Sequence, residues 1–120
     1  MNFLSFLIKI TFLLLAAAPF AYAASPFDGK WKGEGKPTSA CTEKAEVVFT
    51  IKDGEFGQFA LIGPRGRAEN AKGIVSDSGS ATVEYGSSRG LKGTLTFSGN
   101  SFEGKLDTRC GVRDFIGARE

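Results

Sequence analysis

Hydrophobic and polar residues alternate along most of the chain after residue 24, which is the pattern of half-buried β-strands. The segment Glu46–Lys52 shows it clearly. Val47, Phe49 and Ile51 fall on one face of this segment, and Glu46, Thr50 and Lys52 fall on the other. No segment after residue 24 shows the spacing of three to four residues that an amphipathic helix requires. The pattern therefore predicts an all-β fold.

Turn-forming residues separate the alternating segments at intervals of roughly 8 to 14 residues. Asp53-Gly54, Asp77-Ser78-Gly79 and Ser98-Gly99-Asn100 each lie between two such segments and predict three hairpins. The predicted strands are Lys30–Gly35, Glu46–Lys52, Glu55–Ile62, Lys72–Ser76, Ala81–Tyr85, Leu91–Phe97, Ser101–Asp107 and Arg113–Ala118. Such a meander favours a small antiparallel up-and-down β-barrel, because closure removes exposed strand edges. A β-sandwich is the alternative.

Three short segments repeat a turn, an aromatic residue and a glycine, namely Asp28–Gly33, Asp53–Gly57 and Gly99–Gly104. A glycine in a strand permits the sharp coiling of a small barrel, and the nearby aromatic ring fills the space that it leaves. We interpret the repeat as packing rather than as a ligand motif. The aromatic residues expected inside the barrel predict a mostly filled interior: Trp31, Phe49, Phe59, Phe97, Phe102 and Phe115.

The first 24 residues differ from the rest of the chain. Ile10–Ala18 is a run of about nine apolar or small residues, and Ala21-Tyr22-Ala23 supplies a cleavage pattern, as in signal peptides. A lysine and a proline interrupt the stretch of about 20 apolar residues that a membrane anchor needs. We expect a signal peptide over residues 1–24, one barrel domain over residues 25–120, and no transmembrane anchor after cleavage. The protein is then periplasmic or secreted.

Export bears on the two cysteines, Cys41 and Cys110, because oxidising compartments let disulfides form and persist. A metal site is disfavoured, since the chain has no histidine and no third cysteine. A reactive thiol is the other alternative. We predict a structural disulfide, which would enclose about 69 residues and stabilise the fold by roughly 4 kcal/mol in the chain-entropy model.

The charges of the chain are nearly balanced, with 15 lysines and arginines against 13 aspartates and glutamates. Removal of Lys9 with the leader lowers the net charge from +2 to +1. Acidic residues interrupt the basic ones, so we expect no nucleic-acid partner. Without histidine, Ser-His and Cys-His nucleophiles are excluded, and no pair of carboxylates stands out as acid and nucleophile. We expect no enzyme activity, no cofactor and no metal.

The most distinctive polar segment is Gly63–Arg67, which continues to Lys72. We predict a long exposed loop in which Arg65, Arg67 and Lys72 form a candidate interaction site. Their charge suits an anionic partner, such as a lipid headgroup, a polysaccharide or an acidic protein surface, and an exposed arginine also suits a protease. The alternative is a solvated turn built around proline and glycine.

Gly29-Lys30-Trp31, followed by the meander, resembles the opening Gly-x-Trp of lipocalin and avidin-type barrels. Most of the mature chain resembles a group of small exported alphaproteobacterial proteins of unknown function. These proteins begin with Phe-Asp-Gly-x-Trp, carry a cysteine soon after, and end with a second cysteine and a basic tail. The corresponding residues here are Phe27–Trp31, Cys41, Cys110 and Ala118–Glu120. One departure is Phe115, where that pattern has a second tryptophan.

The lipocalin resemblance implies a structural role for Trp31. In such barrels the early tryptophan packs at the closed end beneath an arginine from a late strand. Arg113 or Arg119 is therefore expected near the Trp31 ring, in a cation-π contact.

These observations favour an exported, non-enzymatic binding or interaction module of the bacterial envelope. It would engage a protein or a small ligand through its barrel loops, and we expect a monomer. Two alternatives stand beside it. One is an envelope structural or stress factor, including a virulence factor that supports host colonisation. The other is an inhibitor of an envelope or host hydrolase.

Overall fold

The computed structural model of the protein describes residues 25–64 and 66–120. The predicted signal peptide and Arg65 lie outside the described residues. The strands are β1 (Gly29–Gly35), β2 (Ala45–Lys52), β3 (Glu55–Gly63), β4 (Gly66–Glu69), β5 (Lys72–Val75), β6 (Ser80–Tyr85), β7 (Leu91–Ser98), β8 (Ser101–Thr108) and β9 (Gly111–Arg119). Within this part of the chain, no helix has the length and apolar character needed to cross a membrane.

The strands form one antiparallel sheet that closes into an eight-stranded barrel. The ring runs β1-β2-β3-β5-β6-β7-β8-β9, and β9 pairs back with β1. The ninth strand, β4, is an addition that pairs with β3. The prediction of an all-β up-and-down barrel is confirmed, and the predicted strand boundaries lie within one or two residues of those observed.

β4 and β5 are two pieces of one interrupted strand. Ala60 of β3 faces Glu69 of β4, and Glu55 of β3 faces Ile74 of β5. The step between these pairs is five residues on each side, so the register along β3 is the same before and after the interruption. Asn70 lies at the break with a φ of 65°, in the left-handed region. Beyond the break, β5 pairs with β3 at Ile74 and with β6 from Lys72 to Val75.

Inward-facing side chains fill the barrel. Along β2, buried positions alternate with partly exposed ones, and Val47, Phe49 and Ile51 are each at most 2% exposed. The six aromatic residues expected inside the barrel are all buried: Trp31, Phe49, Phe59, Phe97, Phe102 and Phe115. Their rings contact one another, with the Trp31 and Phe97 centroids 4.9 Å apart in an edge-to-face arrangement. The prediction of a filled interior is confirmed.

Glycines let two of the large rings lie directly against the sheet. A Cβ atom on Gly33 or Gly117 would lie 2.5 Å from the ring of Phe102. A Cβ atom on Gly35 would lie 2.6 Å from the ring of Phe115. Since such distances are too short for real atoms, the glycines are required by packing. Of the repeat glycines, Gly33 thus makes room for a ring, whereas a Cβ atom on Gly57 would meet Thr50 and one on Gly104 would meet Thr94 and Leu95.

The connections between strands divide the barrel into two ends. At the first, here called the sealed end, residues 25–28 lie with the β2–β3, β5–β6 and β7–β8 turns. At the second, here called the loop end, the chain makes four connections: residues 36–44, the two-residue turn after Gly63, residues 86–90 and the β8–β9 turn at residues 109–110.

Candidate functional site

Trp31 and Arg119 close the sealed end. The indole Nε1 of Trp31 donates a hydrogen bond to the carbonyl oxygen of Phe27 at 3.0 Å. The guanidinium carbon of Arg119 lies 4.7 Å from the centroid of the Trp31 ring, so the expected cation-π contact is made by Arg119. Arg119 also donates to the main-chain oxygens of Pro26, Asp28 and Gly99. These contacts are all internal, so this guanidinium is committed to the fold.

Asp28 holds the neighbouring β2–β3 turn. Its two carboxylate oxygens accept hydrogen bonds from the backbone N–H groups of Asp53 at 2.8 Å and Gly54 at 3.0 Å. Burial raises the pKa of this carboxyl, but the hydrogen bonds outweigh burial, and the pKa lies below its ordinary value. The ionised form of Asp28 is therefore the one that stabilises the sealed end.

Arg113 fixes the 36–44 connection at the loop end. It is 2% exposed, and it donates to main-chain oxygens at both ends of that connection. Nε bonds to Lys36 at 3.0 Å, and Nη2 bonds to Gly35 at 3.1 Å and Glu43 at 2.8 Å. Arg113 thus lies at the opposite end from Trp31. The alternative in which Arg113 covers the tryptophan is wrong, because Arg119, six residues further along β9, reaches the sealed end instead.

The disulfide between Cys41 and Cys110 ties the same connection to the β8–β9 turn. The two Cα atoms are 5.8 Å apart, and the predicted bridge is confirmed. Thr38 and Cys41 also exchange two backbone hydrogen bonds within the connection. Together with Arg113, these links hold residues 36–44 at several points across the loop end.

The basic segment predicted as a long loop is a hairpin. Gly63 and Gly66 pair with each other, and β4 begins at Gly66. The prediction is wrong because Ala68 of β4 is buried and faces Leu61 of β3. Turn residues are conspicuous in this segment of the sequence, whereas a strand with one buried residue is not.

The three predicted interaction residues do not form one cluster. Arg65 lies outside the described residues. Arg67 is exposed on β4, and its Nε donates to Glu69 Oε2 at 2.7 Å. Lys72 lies beyond the interruption, on β5, where it faces Glu84. Arg67 lines a cavity at the loop end, whereas Lys72 lines a separate groove on the outside of the barrel.

That cavity lies beside β4 and has a volume of about 40 Å³. Leu61, Ala68 and Leu91 contribute its apolar walls, and Arg67 and Arg109 are exposed cations that also line it. The volume corresponds to roughly three water molecules. The cavity therefore has room for one small side chain or a carboxylate, and it is far too small for a lipid or a cofactor.

Arg109 is a member of this site that sequence reasoning missed. Its Nη1 lies 4.0 Å from the position of a Cβ atom on Gly66, so the β8–β9 turn approaches the β3–β4 turn. The available signal was its place next to Cys110, which the disulfide brings to the loop end. No pattern in the sequence links Arg109 to Arg67, because 42 positions separate them and only barrel closure brings them together.

Wider concavities lie on the outer surface of the barrel, with volumes of about 850, 840 and 860 Å³. Outward-facing strand residues line them, such as Thr50 in the first, Thr82 in the second and Glu103 in the third. The large concave spaces therefore lie on the sheet surface, whereas the interior is occupied by side chains.

Two further titratable groups have shifted pKa values with structural causes. Burial raises the pKa of the Tyr85 phenol, whose hydroxyl donates to the main-chain oxygen of Asp107 at 2.6 Å. The hydrogen bond from Lys105 Nζ lowers the pKa of Asp114, on the outer surface. In the part of the chain that the structure describes, no group of three or more acidic, cysteine or histidine side chains is arranged to hold a metal ion.

The fold and the site define a small, disulfide-linked antiparallel barrel with a filled interior, one sealed end and one end covered by fixed loops. Neither a protein-family model, nor a curated protein, nor a solved structure matches this chain. The resemblance to exported alphaproteobacterial proteins and to lipocalins stays a prediction.

Proposed function

We propose that the protein is an exported, non-enzymatic interaction module that engages a protein partner through the loop end of its barrel. The observation that carries the proposal is the contrast between the two ends. At the sealed end, Asp28 and Arg119 bond to the backbone of the fold itself, whereas at the loop end the exposed Arg67 and Arg109 line a small apolar cavity.

The filled interior favours a protein partner over an enclosed small ligand. An eight-stranded barrel either holds one small ligand or is filled by its own side chains. Here Trp31, Tyr85 and Phe115 are each at most 1% exposed and occupy the interior. The cavity of about 40 Å³ at the loop end accepts only a small group. A partner that inserts one side chain while contacting the surrounding loops fits this geometry.

The 36–44 connection supports the same proposal, because its ordered backbone lowers the entropy that is lost on binding. Residues 36–40 and 42–44 are exposed, yet Arg113 and the disulfide hold the connection at both ends. Ordering a flexible side chain on binding costs about 0.5–1.5 kcal/mol, so a loop that is already ordered binds with less loss. An exposed segment held in this way is suited to recognition.

Two features of different kinds support an exported location. The disulfide is the structural one, because such bridges persist in oxidising compartments. The predicted signal peptide is the other, and it comes from the sequence alone. We therefore propose that the interaction takes place in the periplasm or outside the cell.

The charge at the loop end favours an acidic partner surface. Arg67 and Arg109 are both exposed. Arg67 pairs with Glu69, whereas Arg109 takes part in none of the ion pairs among the described residues. Complementary charge raises association rates and selects among partners.

The test is affinity capture from an envelope extract with the disulfide-bonded protein as bait. We compare the wild type, the loop-end variant Arg67→Glu/Arg109→Glu and a control with the same charge change near the sealed end, Lys30→Glu/Lys52→Glu. The wild type and the control should retain a stoichiometric protein partner, and the loop-end variant should retain at least tenfold less. Equal recovery by the loop-end variant contradicts the proposal. Recovery of no partner by any bait also contradicts it and favours an envelope structural role.

Inhibition of a hydrolase is a second candidate, favoured by the exposed 36–40 segment beside the disulfide. A segment held rigidly in this way can occupy an active site as a substrate does while resisting cleavage. If the captured partner is a hydrolase, addition of the wild-type protein should lower its activity in proportion to occupancy. Unchanged activity at full occupancy would exclude this candidate and leave the interaction itself intact.

A further inference from the structure

We infer that the loop end recognises its partner by strand addition: an extended acidic segment pairs with the free edge of β4 and places a small apolar side chain in the adjoining cavity. This inference rests on the proposed function and specifies how the same end of the barrel binds. It follows from the topology, from the direction of the backbone groups on β4, and from the charge around them.

The sheet topology makes β4 an edge strand. It is the last strand in the sheet order, and within residues 25–64 and 66–120 it pairs with β3 alone. The strand that would cover its other side is β6, but β6 pairs instead with β5, from Lys72 to Val75. Among the described residues, one backbone hydrogen bond crosses this gap, from the Gly86 N–H to the Glu69 carbonyl oxygen at 2.7 Å. The edge is therefore open from Glu69 towards the hairpin turn.

The same hydrogen bond shows which backbone groups face the open side. Because Glu69 accepts from Gly86, its carbonyl group points away from β3. In an antiparallel strand, the N–H and C=O of a residue face the same neighbour, and the direction alternates from residue to residue. Arg67 therefore directs its N–H and C=O to the open side, whereas Ala68 directs its own to β3. A partner strand would exchange a pair of hydrogen bonds with Arg67.

The cavity lies where such a strand would direct a side chain. Ala68 faces the interior, so a residue opposite it on an added strand would also point inward. Leu61 and Leu91 line the space at that position, which has room for a group of about alanine to valine size. The two residues next to this one would point outward, one opposite Arg67 and the other opposite Glu69, and Arg109 approaches the same edge at Gly66.

Charge selects the kind of segment that can add to this edge. Arg67 and the nearby Arg109 favour an acidic side chain opposite Arg67, whereas Glu69 disfavours a second one opposite itself. A second copy of this chain is disfavoured as the occupant for two reasons. Antiparallel pairing centred on Arg67 would bring Arg67 against Arg67, and like charges directly opposite each other destabilise a strand pair. Pairing centred on Ala68 would need the Glu69 carbonyl oxygen, which already accepts from Gly86. An extended segment of another protein with an acidic residue opposite Arg67 gains the attraction and avoids the repulsion between two copies.

The first experiment titrates the disulfide-bonded protein with short capped peptides. The probe is acetyl-Thr-Thr-Val-Glu-Thr-amide, in which antiparallel pairing of the valine with Ala68 puts the glutamate opposite Arg67. Its matched controls are the same peptide N-methylated at both residues next to the valine and a version with lysine for glutamate. The probe should bind saturably at the loop end, and each control should bind at least tenfold more weakly. Equal binding of the N-methylated peptide would overturn strand addition, because that peptide lacks the edge donors but keeps the charge.

The second experiment compares two substitutions of the same residue. Arg67→Ala removes the charge and keeps the N–H, whereas Arg67→Pro also removes the N–H that faces the open side, which an edge strand tolerates. Arg67→Pro should bind the probe at least tenfold more weakly than Arg67→Ala. Equal binding by both variants would overturn the inference.

Hydrogen exchange in the wild type provides a measurement that needs no variant. The Arg67 amide should exchange at least tenfold faster than the Ala68 amide, and the probe peptide should slow it selectively. An Arg67 amide already protected in the free protein would contradict an open edge.

Two outcomes separate this inference from the proposed function. One outcome is that the probe peptide does not bind, while affinity capture of the protein partner still depends on Arg67 and Arg109. In that case strand addition is wrong and the loop-end interaction stands. If sedimentation shows that the wild type dimerises and Arg67→Pro does not, a second copy occupies the edge, and the acidic partner segment is wrong.

Discussion

Trp31 links three parts of the sealed end through a single side chain. Its indole N–H bonds to Phe27, its ring lies under Arg119, and its edge meets the ring of Phe97. Each contact is made by a residue from a different part of the chain. At the scale of one residue, the sealed end is therefore held by a buried aromatic ring and by the cation above it.

Substitution of Trp31 tests this role directly. Trp31→Ala should destabilise the protein by about 3–5 kcal/mol, because it removes a large buried side chain and leaves a cavity. The unfolding midpoint should fall by more than about 10 °C in a domain of this size. Thermal unfolding followed by circular dichroism measures the change, with Lys30→Ala on the exposed face as the control. A midpoint equal to that of the control would exclude the structural role of Trp31.

Asp28 makes the stability of the sealed end depend on pH. Its pKa is lowered in the folded protein, so its contribution is fully present above the unfolded value of about 3.9 and is lost as the pH falls through the lower folded value. Urea unfolding at a series of pH values should show that Asp28→Asn is less stable than the wild type near pH 7. The difference should shrink below about pH 4.

The control for this prediction is Asp77→Asn, in the exposed β5–β6 turn. It should follow the wild type across the whole pH range. A stability difference between Asp28→Asn and the wild type that stays constant with pH would show that shape, rather than the ionised carboxylate, accounts for the effect.

At the scale of elements, glycines on neighbouring strands determine where the aromatic rings can lie. Gly33 of β1 and Gly117 of β9 face each other, and the Phe102 ring of β8 lies over both. The alternation of hydrophobic residues predicts these strands, but it does not show which ring covers which glycine. That assignment depends on the register between strands that are far apart in the sequence.

Gly117→Ala should destabilise the barrel by about 1–3 kcal/mol, because the added methyl group meets the Phe102 ring and the backbone of β1. Gly63→Ala is the matched control, since its added methyl group would meet no atom of the described residues within 4 Å. Urea unfolding measures both variants. Equal stability of the two would show that the barrel widens at β9 without cost.

At the scale of the whole molecule, the disulfide and Arg113 hold together the connections at the loop end. Trp31 and Arg119 do the same at the sealed end. The bridge spans 69 residues and connects the first loop of the barrel to its last turn. Reduction, or the double variant Cys41→Ser/Cys110→Ser, should lower the free energy of unfolding by roughly 4 kcal/mol in the chain-entropy model. Urea unfolding with and without reductant tests this.

The matched comparison is the double variant, whose free energy of unfolding should be the same with and without reductant. The wild-type chain produced in a reducing cytoplasm should be as unstable as that variant. Equal stability of the oxidised and reduced wild type would contradict a stabilising bridge.

The alternating pattern determined most of the strands, because burial on one face requires an apolar residue at every second position. It failed at β4, since Gly66–Glu69 contains a single buried residue and follows a proline and glycine turn. The loop-end site was predictable only in part, because local patterns do not show which distant residues meet. Arg67 stands out in the sequence, whereas Arg109 belongs to the site only because barrel closure and the disulfide bring two distant turns together.

The sequence by itself determined the all-β fold, the meander of hairpins, the filled interior and the pairing of Cys41 with Cys110. Each depends on local alternation, on turn chemistry or on the presence of only two cysteines. The tertiary structure decided which arginine covers Trp31, which one fixes the 36–44 connection, and that β4 has an open edge beside a small cavity. These features depend on register and closure, which arise from contacts between residues far apart in the chain.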